Sequence, residues 1–231
     1  YPPYELALSS KLVDMVKLYK IDVLHVHYAI PHAYAGYMAK QMLADEGIHI
    51  PMVTTLHGSA ITLVGNHPFY KPAVSFSINK SDVVTSVSQS LKDDTHRLFE
   101  IKKDIVVIPN FIELTKEKQV ENIPCHRSLM AAENEMIVTH ISNFRKVKRI
   151  DDIVKIFFEI QKEVPAKLMM VGEGPEKENA EYLCNQLGIQ NKVIFFGNSN
   201  EIDKILCFSD LFLLPSETES FGLAALEAMA C

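Results

Sequence analysis

Apolar runs of strand length alternate with stretches of helical periodicity along this chain, and the alternation occurs twice, on either side of one polar segment. Leu8, Leu12, Met15, Val16 and Tyr19 recur at helical spacing. Strands are expected over 22–28, 52–57, 82–88 and 105–108, the last stopped by Pro109. Helices are expected over 34–43, over 72–79 and from Ser90, which with Asp93 reads as a cap. Residues 115–135 are polar, charged and without period, and read as a linker. The scheme then repeats, with strands over 136–141, 167–171, 193–196 and 211–214. Its helices fall over 150–164, over 176–187 with Gly188 at the C-terminus, over 201–207 and from Gly222. Apolar strands alternating with helices imply parallel sheets covered on both faces. The fold class is therefore α/β, with two Rossmann-like doubly wound domains at 1–114 and 136–231. In such sheets ligands bind beyond the carboxyl ends of the strands.

Composition narrows the function classes. The 231 residues carry 23 Lys and Arg against 29 Asp and Glu, a formal net charge of −6, which argues against a nucleic-acid partner. No run approaches the roughly 18 apolar residues of a membrane helix, so no membrane insertion is expected. The opening Tyr1-Pro2-Pro3-Tyr4-Glu5 lacks the basic and apolar regions of a signal peptide. Cys125, Cys184, Cys207 and Cys231 form no Cys-x-x-Cys pair, so zinc and redox spacings are absent and a cytoplasmic location is expected. Both ends read as cut, since the chain opens on a helix and stops at Cys231 straight after the helical run 221–229.

Six features stand near strand ends. Glu219 and Glu227 lie eight positions apart, the second inside the expected last helix. Amides of Phe221, Gly222 and Leu223 would be helix-start donors suited to an anion or sugar oxygens, although acids near a helix start are also favourable by themselves. Arg145, Lys146, Lys148 and Arg149 follow the strand 136–141 and suit either a diphosphate clamp or a solvated basic loop. Gly172-Glu173-Gly174-Pro175 is a turn between strand and helix that lacks the dinucleotide and P-loop fingerprints. His57-Gly58 ends a strand, where a polar side chain faces the crevice or simply packs. His25 and His27 share one strand face without a carboxylate or Cys partner and read as structural. Asp93-Asp94 and Asp151-Asp152 read as first-turn acids that complement the helix dipole, not as metal ligands. No arrangement suggests a covalent nucleophile.

Taken in order, Arg145 and Lys148 after HIS, the VGEGPE loop, and Glu219-x7-Glu227 after LFLLPS resemble the retaining GT-B glycosyltransferases of the glycogen-synthase-like family. The segments HVHYAIPHAYAGYMAKQM, VTTLHGSAITLVG, SDVVTSVSQSL and HISNFRKVKR narrow the resemblance within that family. They are similar to members that move N-acetylglucosamine from UDP-GlcNAc to the hydroxyl of L-malate, the first step of bacillithiol synthesis. The resemblance implies an acceptor-side first domain and a nucleotide-sugar-binding second domain. An opening strand with a Gly-rich donor loop, and the end of the second domain, would lie outside the sequence.

Residue by residue, the resemblance implies that Glu227 holds the UDP ribose and Glu219 the donor sugar. It places Arg145 and Lys148 on the diphosphate, with Arg149 a contender for the Lys148 position. Amides of Phe221, Gly222 and Leu223 meet sugar and phosphate, Gly172 and Gly174 belong to the donor side, and Asn198 lies in the uracil-contacting segment. His57 matches the family histidine beside the reacting sugar, and Tyr28 and Thr55 match acceptor-facing positions. The family usually reads HGTDIT where this chain has His57-Gly58-Ser59-Ala60-Ile61-Thr62, so Ala60 stands in place of a carboxylate. The implied mechanism is a front-side displacement without a metal or other cofactor, and a homo-oligomer is compatible with it. Three rivals stay open at this level: a GT-B enzyme with another acceptor, a UDP-sugar epimerase, and a non-catalytic nucleotide-sugar-binding module.

Overall fold

The computed structural model describes residues 3–58, 61–62, 67–112 and 127–231. Ser59, Ala60 and Cys125 lie outside the described residues. The chain divides into two compact units, Tyr1–Asn110 and Phe111–Cys231, each built on its own sheet.

In the first unit α1 (Tyr4–Tyr19) precedes β1 (Leu24–His27), α2 (Tyr34–Asp45), β2 (Met52–Leu56), α3 (Lys71–Lys80), β3 (Val83–Ser86), α4 (Gln89–Leu98) and β4 (Ile105–Val107). The four strands pair in parallel in the order β1-β2-β3-β4. Burial alternates along β2, with Met52, Thr54 and Leu56 inside. The hydroxyl of Thr54 is satisfied by Ser81 Oγ at 2.7 Å, as a buried polar group must be. Asp82 fixes the start of β2: its Oδ2 accepts the Met52 amide at 2.6 Å and pairs with Lys40. Both contacts favour the carboxylate and hold Asp82 below its ordinary value against the opposing effect of burial.

The second unit runs α5 (Arg127–Met130), β5 (Met136–Ile141), α6 (Ile150–Glu163), β6 (Ala166–Val171), α7 (Lys177–Gln186), β7 (Val193–Gly197), α8 (Ile202–Cys207), β8 (Leu211–Phe212) and α9 (Leu223–Ala230). Its sheet is again parallel, in the order β7-β6-β5-β8. Ile150, Ile153, Val154 and Phe157 form the buried stripe of α6 and pack with Val138, Leu168 and Met170 of the sheet. The two parallel α/β sheets are those the alternating pattern implies.

Local details differ from the sequence reading. The N-cap of α4 is Ser88, whose Oγ accepts the Leu91 amide at 3.2 Å, in place of Ser90. Asp93 and Asp94 consequently lie beyond the first turn of α4 and engage Gln89 and Arg97, whereas Asp151 and Asp152 do occupy the first turn of α6. Residues 127–130 of the expected linker form the turn α5, and residues 113–126 lie outside the described part. Gly188 follows α7 at φ +69, a left-handed position that glycine adopts without steric cost. Among the described residues no helix is long and apolar enough to cross a membrane.

Phe157 is fully buried, so Phe157→Ala should destabilise the second unit by about 3–5 kcal/mol. Urea denaturation followed by circular dichroism checks this; a loss below about 1 kcal/mol would contradict the packing described.

Candidate functional site

In the second unit three connections converge at the carboxyl ends of the strands. The loop after β5 carries Asn143 to Arg149, the turn after β6 carries Gly172 to Glu176, and the loop after β8 carries Leu213 to Gly222. The first two pack backbone on backbone. A Cβ on Gly172 would stand 1.9 Å from the Ser142 carbonyl oxygen, and one on Gly174 would stand 2.2 Å from that of Asn143. Glycine is thus required at both positions by close approach alone. The Glu176 amide donates to Phe144 O at 2.9 Å, and the Gly172 amide donates to Gly197 O at 2.8 Å, which sets exposed Asn198 beside the turn.

The loops after β5 and β8 are joined through charge. Lys148 Nζ lies 2.5 Å from Glu219 Oε1, with both side chains mostly covered. The Glu217 amide donates to Val147 O at 2.9 Å. Arg149 is held in a left-handed conformation at φ +57, and its guanidinium engages Asp152 at 2.6 Å and Glu217 at 3.4 Å. Asp152 above all raises the Arg149 pKa. Arg149 is therefore committed to neighbouring carboxylates, while Lys148 is brought onto Glu219. Arg145 is exposed and has no side-chain partner among the described residues.

Helix α9 begins at Leu223, with Gly222 as its N-cap at φ +83. The Gly222 carbonyl accepts the amides of Ala225 and Leu226, while those of Phe221, Gly222, Leu223 and Ala224 meet no backbone acceptor among the described residues. Glu227 lies one turn on and is half-buried. Ser216 Oγ is buried with no hydrogen-bond partner among the described residues, an orphaned hydroxyl in the same loop.

Sequence reasoning missed His140. It lies on β5, fully buried. Its Nδ1 is 2.8 Å from Leu213 O and its Nε2 is 2.7 Å from Ser142 Oγ. A carbonyl can only accept, so Nδ1 carries the hydrogen and Nε2 accepts from the serine. Burial pushes this imidazole down to about 4, opposed by the bond to Leu213 and lowered a little further by Lys148. The one available sequence signal was a histidine inside an otherwise buried strand.

In the first unit the strand ends gather imidazoles. His27 Nδ1 and His57 Nε2 are 2.9 Å apart, and His25 Nε2 lies 2.8 Å from Thr55 Oγ1, which also meets Thr85 Oγ1 at 2.7 Å. His32 Nδ1 reaches the His27 carbonyl at 2.7 Å. Tyr28, at φ +75, sets its ring 4.8 Å from that of His57. His25 and His27, read as structural, are therefore exposed members of a polar cluster around His57. Desolvation first lowers His27 and His57 below the ordinary imidazole value; repulsion from His25 and His32 adds to it at His27, and repulsion from His27 at His57. Among the described residues there is no group of three or more His, Cys, Asp or Glu able to hold a metal ion.

Two family descriptions match the chain, "Glycosyltransferase Family 4" over residues 1–116 and "Glycosyl transferases group 1" over residues 125–231. N-acetyl-alpha-D-glucosaminyl L-malate synthase of Bacillus anthracis is 47% identical over 231 residues, which is 100% of this chain and 60% of that protein. Alpha-monoglucosyldiacylglycerol synthase of Streptococcus pneumoniae is 25% identical over 238 residues, covering 96% of this chain and 52% of that protein. Anabaena HepE, solved in complex with UDP and glucose, matches in fold with a TM-score of 0.77 at 19% identity, covering 96% of this chain and 60% of its own. The chain spans between about half and three-fifths of the length of these proteins.

Two pH effects follow. His140 has a folded pKa of about 4 against 6.5 when exposed, so the unfolded chain binds more protons between those values. Stability is then full above pH 6.5 and falls as pH drops toward 4, by on the order of 3 kcal/mol. Urea midpoints at pH 7 and pH 4.5 should show this slope, flattened in His140→Asn. Likewise His27→Asn removes one repulsive neighbour, so the pKa of His57 should rise toward 6.5. An imidazole NMR titration in which it stays unchanged would show that His27 exerts no charge on it.

Proposed function

The chain belongs to the family 4 glycosyltransferases, and on that premise we propose that the protein carrying it transfers N-acetylglucosamine from UDP-GlcNAc to the hydroxyl of L-malate with retention of configuration, opening bacillithiol synthesis. One observation carries the choice of acceptor: the 47% identity to a protein of that name is spread over all 231 residues of the chain. The second unit supplies the donor side. Lys148 and Arg145 face the diphosphate, Glu227 the ribose hydroxyls and Glu219 the sugar. Glu219 holds Lys148 until the donor's phosphates compete for it. The first unit supplies the acceptor side through Tyr28, Thr55 and His57.

The chemistry needs no metal in this scheme. The bond from the sugar C1 to the β-phosphate oxygen breaks while the malate hydroxyl oxygen bonds to C1 on the same face. The departing phosphate oxygen takes the hydroxyl proton, and Arg145 with Lys148 offsets the charge that remains on UDP. A neutral His57 accepts or donates a hydrogen bond at the sugar without adding a further cation to Arg145 and Lys148.

Incubating the full-length protein with UDP-GlcNAc, with and without L-malate, tests the reading. Malate-dependent UDP release is expected. Acceptor-independent isomerisation would instead identify an epimerase, and binding without turnover a non-catalytic module. Glu227→Ala should weaken UDP binding by roughly 1.5–3 kcal/mol, about 10- to 150-fold, because the ribose loses a charged acceptor. Isothermal calorimetry on the folded variant measures it, and unchanged affinity would remove Glu227 from the donor site.

A further inference from the structure

We infer that His140 is a positioning residue that couples the two donor-side loops, holding the basic loop and the Glu219 loop in one register. This role rests on the donor reading above and adds a residue that touches no reactant. His140 sits on β5, between the loop that begins at Ser142 and the loop that begins at Leu213. A directional chain of hydrogen bonds runs through it. The Phe144 amide donates to Ser142 Oγ at 3.3 Å, the Ser142 hydroxyl donates to His140 Nε2 at 2.7 Å, and His140 Nδ1–H donates to Leu213 O at 2.8 Å.

Two further facts give the chain something to hold. Phe144, immediately before Arg145, stands at φ +30, a region that a bulky residue enters only when its surroundings impose it. Its ring is fully buried and stacks on His140 with centroids 6.2 Å apart. The imidazole thus fixes the strained residue from two sides, by packing and through Ser142. At its other edge it fixes the carbonyl of Leu213, six residues before Glu219. Lys148 meets Glu219 only when both loops are set, so the pair inherits its geometry from a group in the core. Apolar side chains of similar volume would fill the space but leave the Leu213 carbonyl and the Ser142 hydroxyl without this link.

A mutant cycle in the full-length protein tests the role. Ser142→Ala cuts the arm to the basic loop, and His140→Asn keeps a donor where Nδ1 stands while losing the acceptor at Nε2. Each should raise the UDP dissociation constant about fivefold, and the double variant should bind no more weakly than either single one, since both cut the same link. The donor KM should rise with the acceptor KM unchanged, a split that a general loss of stability does not produce. UDP affinity within twofold of the unmodified protein in folded Ser142→Ala overturns the role, as do additive effects in the double variant. If His140→Asn does not fold, the affinity of Ser142→Ala alone decides. Failure of the unmodified protein to bind UDP overturns the donor reading itself, and this role with it.

Discussion

Parallel pairing of strands buried on both faces is the constraint from which the rest of this molecule follows. Each strand must return by a crossover, so every carboxyl end in a sheet opens on the same edge. In the second unit that edge receives the loops after β5, β6 and β8, and in the first it receives His27, Tyr28 and His57. Neither gathering requires the residues to be near in sequence: Lys148 and Glu219 are 71 positions apart and yet paired.

Glycine and strain then set how closely these loops approach. Gly172 and Gly174 let the turn after β6 lie against the carbonyls of Ser142 and Asn143, where any side chain would collide with backbone. Phe144 and Arg149, both at positive φ without being glycine, bracket the segment that bears Arg145 and Lys148. The basic loop is therefore preorganised by its neighbours, which suits electrostatic stabilisation of a leaving group, since dipoles and charges already in place need not reorganise.

Histidines contribute as neutral groups. His140, His27 and His57 are each pushed toward the uncharged form, by burial first in every case. A neutral imidazole donates at one nitrogen and accepts at the other, so it can link two loops or two strands in a way that an imidazolium, which only donates, cannot.

The alternating pattern by itself determined the α/β class, the two parallel sheets and the strand ends at which charged and glycine residues cluster, because burial on both faces leaves an apolar signature that local reading detects. The Glu219–Glu227 spacing and the Arg145–Arg149 run were equally legible, being contiguous. Tertiary structure alone decided which cations are engaged: Arg149 turns to Asp152 and Glu217, Lys148 to Glu219, and Arg145 to none among the described residues. It also moved the α4 cap to Ser88 and drew His25 and His27 into a cluster around His57. His140 was hidden for the same reason. A single polar residue in a buried strand shows its purpose only when its partners, Ser142 two residues away and Leu213 on another strand's end, are seen at hydrogen-bonding distance, and such long-range pairings are fixed by the packing of the sheet and not by any local preference of the chain.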